Sequence, residues 1–485
     1  MPENVRTTRT RSTIWRRTLA AGVVLAATGS ILAASPQRAE AALPTQSIAD
    51  PVHYWNDVLQ GVFRQVQGGP VPMARAAAMM NGAIYDAESS YQAKWKGQMT
   101  SAAYIHAAPY AGWVEGPDEE ERVIGRTAYN ILLNLYGVNR PNKNAPDFTP
   151  YLDKRFKERF GTEPTSGDLL DITIVSGMVN QMMNARAGDG SEDNSSYSGE
   201  SPRPGAWRAT SYPDMVDSKC ASDGNAVNPV WGQVKPFSLS SGSQFRPTTL
   251  AQFGTYEDLV ASPEYKAQVA AVRNAGAAAP TAATPVINRT ADQYNAAWFW
   301  ANDNDGTYKP PGHMIQATRE VSKARGLSTY ANAKLFALVS IALADTGIAV
   351  RDAKFSTTID LWRPVSAIRE GGLDPQWKPL LKNNDGVNVN PCFPAYVSGH
   401  ASFGAAWAGI MKRYFNTDNI AYDLTTDDPQ APVKTRHFTS FSAAAKEDAD
   451  SRIWLGVHFP WDATDGLILG DKVAAQVFST KLRTL

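Results

Sequence analysis

The sequence predicts an all-α protein, built as two packed helical bundles with a long irregular insertion rich in Ser, Gly and Pro. Apolar residues recur at three- and four-residue spacing through most of the chain, which is the period of one face of an α-helix. Segments that alternate apolar and polar residues, as strands do, are almost absent. Helices that are apolar on one face bury that face against other helices, so we expect bundles.

The first 41 residues are predicted to be an export signal, possibly of the twin-arginine type. An uncharged, mostly apolar run spans 19–34, and Ala39-Glu40-Ala41 fits small-x-small cleavage. The positive charges stand ahead of the apolar run, at Arg6, Arg9, Arg11, Arg16 and Arg17. We therefore expect a secreted or extracytoplasmic protein with no stable membrane span after removal of the signal. A single N-terminal membrane anchor is the alternative.

The rest of the chain divides into an N-terminal helical half, 42–187, an irregular region, 188–247, and a C-terminal helical half, 248–485. Trp207, Trp231 and Phe237 within the irregular region indicate that it packs on the core, and we expect it to cover part of a pocket. The helical pattern predicts helices at 72–91, 118–136, 167–187, 262–275, 290–302, 328–349, 399–414, 441–455 and 461–481.

Charge and cysteine content exclude several classes of function. The 485 residues include 47 Lys and Arg and 47 Asp and Glu, so no overall field favours nucleic acid as a partner. The sequence contains no CxxC pair and no HExxH, which leaves a zinc site without support. Two cysteines, Cys220 and Cys392, could form a disulfide in an oxidising compartment, but their spacing cannot establish one.

The strongest chemical motif lies near the C-terminus: Ser451-Arg452, five residues, His458, three residues, Asp462. Six residues do not return to the same helical face, so Arg452 and His458 can meet only if the helix ends between them. Gly456 is a natural stop, and Pro460 discourages continuation. Asp462 can accept a hydrogen bond from one ring nitrogen of His458, which leaves the other nitrogen able to bind or attack.

Two further motifs supply anion-binding groups. Ser398-Gly399-His400 precedes a small, apolar helix; Ser398 is a good N-cap residue, and a helix N-terminus is a ready anion site. His400 would lie at its mouth, where a proton can be given or taken. Arg363, in Trp362-Arg363-Pro364, carries a planar set of donors suited to a tetrahedral oxyanion.

The three motifs in this order resemble the signature shared by vanadium-dependent haloperoxidases and the related acid and lipid phosphatases. The surrounding sequences, "DLWRPVSAIRE", "PCFPAYVSGHASFG" and "SRIWLGVHFPWDATDG", are more similar to the haloperoxidases. The segments "VWGQVKPFSL" and "QYNAAWFW" are similar to bacterial members. The likeness covers most of the chain after about residue 50 and is densest from 350 to 470.

The resemblance implies one vanadate per chain, with hydrogen peroxide as co-substrate and a halide and a small organic molecule as substrates. His458 would coordinate the vanadium, held by Asp462. The vanadate oxygens would be neutralised by Arg363 and Arg452, with help from Ser398, the Gly399 N–H and Lys354. His400 would be the acid–base group, and Phe393 and Trp362 would line the halide pocket. Phe393 stands where chloroperoxidases look aromatic and bromoperoxidases carry a second histidine, which favours chloride competence. Members of the family often form homodimers.

This sequence departs from the family pattern at two positions. The family places Lys seven residues before the arginine, where this chain has Ser356; Lys354 lies nine before Arg363. Nine helical steps reach the opposite face, so Lys354 can serve only if the intervening "FSTTI" is bulged or non-helical. Otherwise Lys354 is a solvated side chain. Val397 also replaces the proline usual before Ser-Gly-His.

Two alternative functions fit the same residues. An acid phosphatase of this superfamily would bind phosphate, with His458 as the nucleophile of a phosphohistidine intermediate and His400 as the acid for the leaving group. A non-redox member would use the pocket for other chemistry, or would merely bind an oxyanion. Metal content separates the haloperoxidase from the other two, and turnover of a phosphate ester identifies the phosphatase.

Overall fold

Capping residues and prolines in the sequence set where many helices begin in the computed structural model. The side chains of Thr290, Ser328, Ser398 and Ser440 each accept a hydrogen bond from the backbone N–H three residues further on. Such caps satisfy donors that the first helical turn leaves unpaired. Several other helices begin at a proline, whose missing N–H costs nothing there; these prolines are Pro51, Pro263, Pro364 and Pro460.

The structure describes residues 48–66, 68–96, 101–105, 117–164, 169–199, 202–210, 212–218 and 225–484. The predicted signal, 1–41, and Cys220 lie outside these ranges. The described part contains helices α1 Pro51–Gln65, α2 Pro70–Lys96, α3 Pro117–Tyr136, α4 Thr149–Phe160, α5 Leu169–Ala185, α6 Tyr256–Ala261, α7 Pro263–Gly276, α8 Ala291–Ala301, α9 Lys309–Ala324, α10 Thr329–Phe355, α11 Pro364–Arg369, α12 Gly399–Phe415, α13 Phe441–Trp454 and α14 Pro460–Thr480.

Two short two-stranded sheets accompany these helices. Strand β1, Val216–Ser218, pairs in parallel with β2, Val389–Pro391. Strand β3, Tyr422–Thr425, pairs antiparallel with β4, Thr435–Phe438. The first sheet ties the irregular region to the segment just ahead of Phe393, and the second forms a hairpin between α12 and α13.

The helices form two packed groups. In the first, α2 packs on α3 and α5, and α1 and α4 pack on α3; in the second, α12 packs on α10, α13 and α14. The two groups meet where α2 lies along α10, a helix whose residues are buried almost throughout. The prediction of an all-α protein with packed helical bundles is confirmed.

The structure contains all nine predicted helices and others that the sequence analysis missed. Helix α10 extends six residues past its predicted end, to Phe355, and this extension carries Lys354. The missed helices include α1, α4 and α9. Helix α9 opens with Lys309-Pro310-Pro311-Gly312, which has the composition of a loop although proline is tolerated in a first helical turn.

The irregular region is ordered where the structure describes it. Trp207, Trp231 and Phe237 are all buried, as predicted. Asp345, in the middle of α10, anchors the region: its carboxylate accepts backbone N–H groups of Phe237 at 2.6 Å, Ser238 at 2.7 Å and Leu239 at 3.0 Å. Burial raises the pKa of Asp345 to about 6, and the three N–H donors partly oppose this rise.

Residues Ile48–Leu485 form a single compact unit, and the domain boundaries at 188 and 248 stay predictions.

Among the described residues, one helix, α10, is long and apolar enough to cross a membrane by length and composition. Its apolar window is 94% buried inside the fold, as in the core helix of a bundle.

Cys392 is disulfide-bonded, and the only other cysteine of the chain is Cys220. Cys392 stands directly before Phe393, and Cys220 lies outside the described residues.

We predict that Asp345→Asn lowers the free energy of unfolding by about 2 kcal/mol, because an amide group cannot accept all three N–H bonds and leaves a buried donor unsatisfied. Denaturant unfolding measures the change. Asp423→Asn is the matched control: this carboxylate is exposed and pairs only with the exposed His437 within the described structure, so we expect a change under about 0.5 kcal/mol. Equal losses in both variants would contradict the anchoring role of Asp345.

Candidate functional site

A cavity opens where the end of α10, the N-terminus of α12 and the end of α13 meet. Pro70 and Val71 of α2, Val227 of the irregular region and Phe403 of α12 contribute to an apolar wall. The polar lining consists of Asp303, Arg351, Lys354, His400, Arg452 and His458. The irregular region therefore covers part of this pocket, as expected from its buried aromatic residues.

The end of α13 brings Arg452 and His458 together. The Gly456 N–H donates to Ile453 O at 2.9 Å and the Val457 N–H to Arg452 O at 3.1 Å, which closes the last turn as at a glycine C-cap. Gly456 has φ +77°, a left-handed conformation that favours glycine. The helix thus stops between Arg452 and His458, as the sequence predicted, and both side chains line the same cavity.

His458 is fixed by the start of α14. Its Nδ1 lies 2.9 Å from Asp462 Oδ2, which also accepts the Phe459 N–H at 3.0 Å. The carboxylate can only accept there, so Nδ1 carries the proton and Nε2 keeps its lone pair. Burial lowers the pKa of His458 well below its usual range, and nearby Arg363, Lys354 and Arg452 lower it further. A neutral imidazole with Nε2 unprotonated is the form that binds a metal.

Arg363 and Lys354 converge on His458 and Phe393. The Arg363 guanidinium donates to Phe393 O at 2.8 Å, to Val457 O at 2.7 Å and to His458 Nε2 at 3.2 Å. Lys354 Nζ donates to Pro394 O at 2.6 Å and Ala395 O at 2.9 Å. Both cations stand over the Phe393 ring, at 4.7 Å and 5.1 Å from its centre.

Lys354 reaches the site because α10 ends at Phe355 and residues 356–360 are not helical. The segment between Lys354 and Arg363 is thus non-helical, as the nine-residue spacing required for Lys354 to reach the site. The interpretation of Lys354 as a solvated side chain is wrong. Burial lowers the pKa of Lys354 well below its usual range, and Arg363 and Arg351 lower it further. An anion in the cavity would oppose this by favouring the ammonium form.

The N-terminus of α12 borders the cavity. Ser398 Oγ accepts the Ala401 N–H at 3.4 Å, which confirms Ser398 as the N-cap. A Cβ at Gly399 would meet no atom within 4 Å, so the backbone is open to the cavity at this residue. The Ser398 N–H donates to Asp462 O at 3.0 Å, which joins the starts of α12 and α14 next to His458. The substituted residue Val397 is fully buried.

Arg452 and His400 share a carboxylate that the sequence analysis did not identify. Arg452 Nη2 donates to Asp303 Oδ2 at 2.6 Å, and His400 Nε2 lies 4.0 Å from Asp303 Oδ1. The Nε and Nη1 atoms of Arg452 are buried and make no hydrogen bond within the described residues. Buried polar atoms normally have a partner, so this side of Arg452 is suited to an anion.

His400 is neutral at neutral pH. Its Nε2 lies 3.0 Å from Ala301 O; because a carbonyl only accepts, Nε2 carries the proton and Nδ1 has the lone pair. Burial lowers the pKa of His400 to about 4, Arg452 lowers it further and Asp303 raises it. The side chain can therefore take up a proton at Nδ1, as a general base does.

Arg351 is a second site residue that the sequence analysis missed. It lies three residues before Lys354 on α10, one helical turn away on the same face, and this spacing was the available signal. Its guanidinium stands 4.4 Å from the centre of the Phe393 ring, and its buried Nη1 has no hydrogen-bond partner within the described structure. Burial lowers the pKa of Arg351 to about 9.

Trp362 does not line the cavity, which corrects its predicted place in the halide pocket. Its ring is buried and its Nε1 donates to Tyr265 Oη at 2.6 Å. Adjacent residues of an extended segment point to opposite sides, and Arg363, extended at φ −79° and ψ 157°, directs its own side chain towards His458. Phe393 does line the cavity.

The residues present fit a tetrahedral oxyanion. Arg351, Lys354 and Arg452 line one cavity with His458, and Arg363 donates to its Nε2. All four cations are buried, and together with the open helix N-terminus they offer donors for several oxygens. Asp303 pairs with Arg452, Asp462 interacts with Lys354 and Arg363, and burial raises the pKa of Asp462 to about 7. Within the described residues, no group of three His, Cys, Asp or Glu could hold a bare metal ion. The site thus suits an anion with a single imidazole ligand.

Comparisons with known proteins show what this chain is similar to. Residues 334–485, which carry every predicted site residue, match the family model of the VCPO second helical-bundle domain. The chain is 27% identical to the vanadium chloroperoxidase of Curvularia inaequalis over 511 aligned positions, which cover 87% of this chain and 81% of that protein.

Solved structures share the fold. A bacterial vanadium-dependent iodoperoxidase superposes with a TM-score of 0.66 at 21% identity, covering 90% of this chain and 97% of its own. The holo form of a bacterial vanadium-dependent chloroperoxidase gives a TM-score of 0.62 at 16% identity, covering 90% and 93%. Residues 334–485 thus carry the second helical-bundle domain of the VCPO family, and the chain as a whole is similar in sequence and fold to vanadium-dependent haloperoxidases.

Proposed function

We propose that this protein is a vanadate-dependent haloperoxidase that oxidises chloride or bromide with hydrogen peroxide and halogenates small organic substrates. The net reaction is X⁻ + H₂O₂ + H⁺ → HOX + H₂O, where X is the halide and HOX the halogenating species. The observation that carries the proposal is the burial of four basic side chains at one site with His458: Arg351, Lys354 and Arg452 line the same cavity, and Arg363 donates to the unprotonated Nε2 at 3.2 Å. Burying this much positive charge without an anion is unfavourable.

We assign vanadate to this cavity, with one vanadate per chain. His458 Nε2 would be the ligand, and Asp462 would keep its tautomer and orientation. Arg452, Arg363 and Lys354 would neutralise the oxygens, and the Gly399 N–H would donate at the start of α12. When bound, vanadate supplies a Lewis acid that polarises the peroxide without changing its own oxidation state.

His400 moves the proton in this proposal. Its Nδ1 accepts a proton from hydrogen peroxide, while the Nε2–H bond to Ala301 O keeps the ring oriented. The nearby Asp303 carboxylate stabilises the imidazolium that forms. The same proton can then be returned to the oxygen that leaves as water.

The halide is assigned to the side of the cavity bounded by Arg351 and Phe393. Arg351 has an unpaired buried N–H among the described residues and can attract a halide, while the Phe393 ring excludes water around it.

Export through the N-terminal signal and pairing into a homodimer are part of the proposal and rest on the sequence alone.

We expect halogenation of a β-diketone indicator, with peroxide and bromide or chloride, to require added orthovanadate. His458→Ala should lower the rate by at least about 100-fold, because it removes the ligand that the buried cations surround. His437→Ala, on the exposed β3–β4 hairpin, is the matched control and should retain full activity.

Turnover of a phosphate ester such as p-nitrophenyl phosphate separates the alternatives. Vanadate-dependent halogenation with only weak ester hydrolysis supports the proposal. Rapid hydrolysis without halogenation by either halide would replace it with the phosphatase, in which His458 is the nucleophile. Tight vanadate binding with neither activity would favour the non-redox alternative.

We predict that Arg351→Met raises the KM for halide by about 10-fold, because it removes a charge-assisted contact worth about 1.5 kcal/mol. Vanadate affinity should change less, because the closest donors to His458 belong to Arg363. Steady-state kinetics at saturating vanadate measure KM, and Arg413→Met on the surface is the control. A KM for halide equal to that of the wild type would refute the assignment of the halide to Arg351.

A further inference from the structure

The ammonium group of a buried lysine, Lys309, donates three hydrogen bonds to the loop between α8 and α9. Lys309 is 1% exposed, and its Nζ donates to Asp303 O at 3.2 Å, to Asn304 O at 2.6 Å and to Asp305 Oδ1 at 3.0 Å. An ammonium has three N–H donors. All three therefore go to consecutive residues of one loop.

Two features of Lys309 are energetically unfavourable, which indicates that this residue has a functional role. Burial removes the Lys309 ammonium from water. The backbone of Lys309 also has φ +61°, a left-handed conformation that non-glycine residues rarely adopt. Such outliers persist where the surrounding structure holds them, and they concentrate near functional sites.

The other face of this loop contacts the candidate site. Asp303 Oδ2 accepts from Arg452 Nη2 at 2.6 Å, and Asp303 Oδ1 lies 4.0 Å from His400 Nε2. Ala301, at the end of α8, supplies the carbonyl that orients His400. The loop thus links two predicted site residues that belong to different helices, α12 and α13.

We propose that Lys309 is a positioning residue: by holding the backbone of Asp303 and Asn304, it keeps the Asp303 carboxylate where it orients Arg452 towards the oxyanion. Asp303 is partly exposed, with 27% of its side chain accessible, so its own burial does not fix it. The inference rests on the proposed function insofar as an oxyanion binds at Arg452. In this proposal the orientation of Arg452 depends on Lys309, a residue that does not line the cavity.

The test compares Lys309→Met with the wild type in binding of orthovanadate and of inorganic phosphate, measured by calorimetry. We expect about a 10-fold weaker affinity for both anions, the lower end of what loss of an outer-sphere partner costs. Asp303→Asn should weaken binding at least as much. In the Asp303→Asn background, Lys309→Met should weaken binding little further, because both substitutions remove the same support of Arg452.

Additive losses in the double variant would overturn the proposal, since a general structural role for Lys309 does not act through Asp303. Lys334→Met is the matched control: Lys334 donates to Ser101 Oγ at 2.7 Å, remote from the cavity. Its loss should leave both affinities unchanged.

A crystal structure of ligand-free Lys309→Met provides a readout that does not depend on the proposed function. We expect the 2.6 Å contact between Asp303 and Arg452 to be broken or disordered. An intact contact would overturn the positioning role even if the protein binds vanadate well. Conversely, a broken contact in a protein whose wild type binds no oxyanion would uphold the positioning of Asp303 and reject the proposed function instead.

Discussion

The burial of positive charge at one end of α12 is the constraint on which the site depends. Arg351, Lys354, Arg363 and Arg452 are each at most 2% exposed, and a charge removed from water is unfavourable unless other groups replace the water. The backbone supplies most of the replacement. Carbonyl groups at 393, 394, 395 and 457 accept from Arg363 and Lys354. Within the described part of the chain, buried N–H groups of Arg452 and Arg351 have no hydrogen-bond partner, and an anion can accept from them.

Close packing between α12 and α14 makes this convergence possible. A Cβ at Gly470 would lie 2.2 Å from Ser402 O, and one at Gly466 would lie 2.9 Å from Ser398 O. Only glycine allows the two backbones to approach so closely. Their contact places Asp462, in the first turn of α14, beside the N-cap of α12. The tautomer of His458 and the open N-terminus of α12 are therefore set by the same contact.

The sequence predicted most of the candidate site because its parts are local. Gly456 ends a helix and Ser398 begins one, and such signals can be read from a few residues. Lys354 was harder, because its role depends on where α10 ends. Asp303 could not be found in this way, since it contacts Arg452 across 149 residues of chain. Its position depends on the loop between α8 and α9 and on Lys309, neither of which has a distinctive sequence pattern.

The errors in the sequence analysis have similar origins. Trp362 stands beside Arg363 in the sequence, but an extended backbone sends its ring to Tyr265 instead. Arg351 was overlooked because its three-residue spacing from Lys354 shows only that the two share a helical face, not that this face borders a cavity. The family resemblance supplied residue roles, whereas the additional cation over Phe393 became evident only from the packing of α10.

The most direct test of the account is vanadium K-edge X-ray absorption on the purified protein loaded with orthovanadate. The account predicts four-oxygen vanadate with one additional imidazole nitrogen ligand, and loss of that nitrogen signal in His458→Ala but not in the control His437→Ala. A spectrum of vanadate without a nitrogen ligand, or one that His458→Ala leaves unchanged, would contradict the assignment of the cavity as a vanadate site.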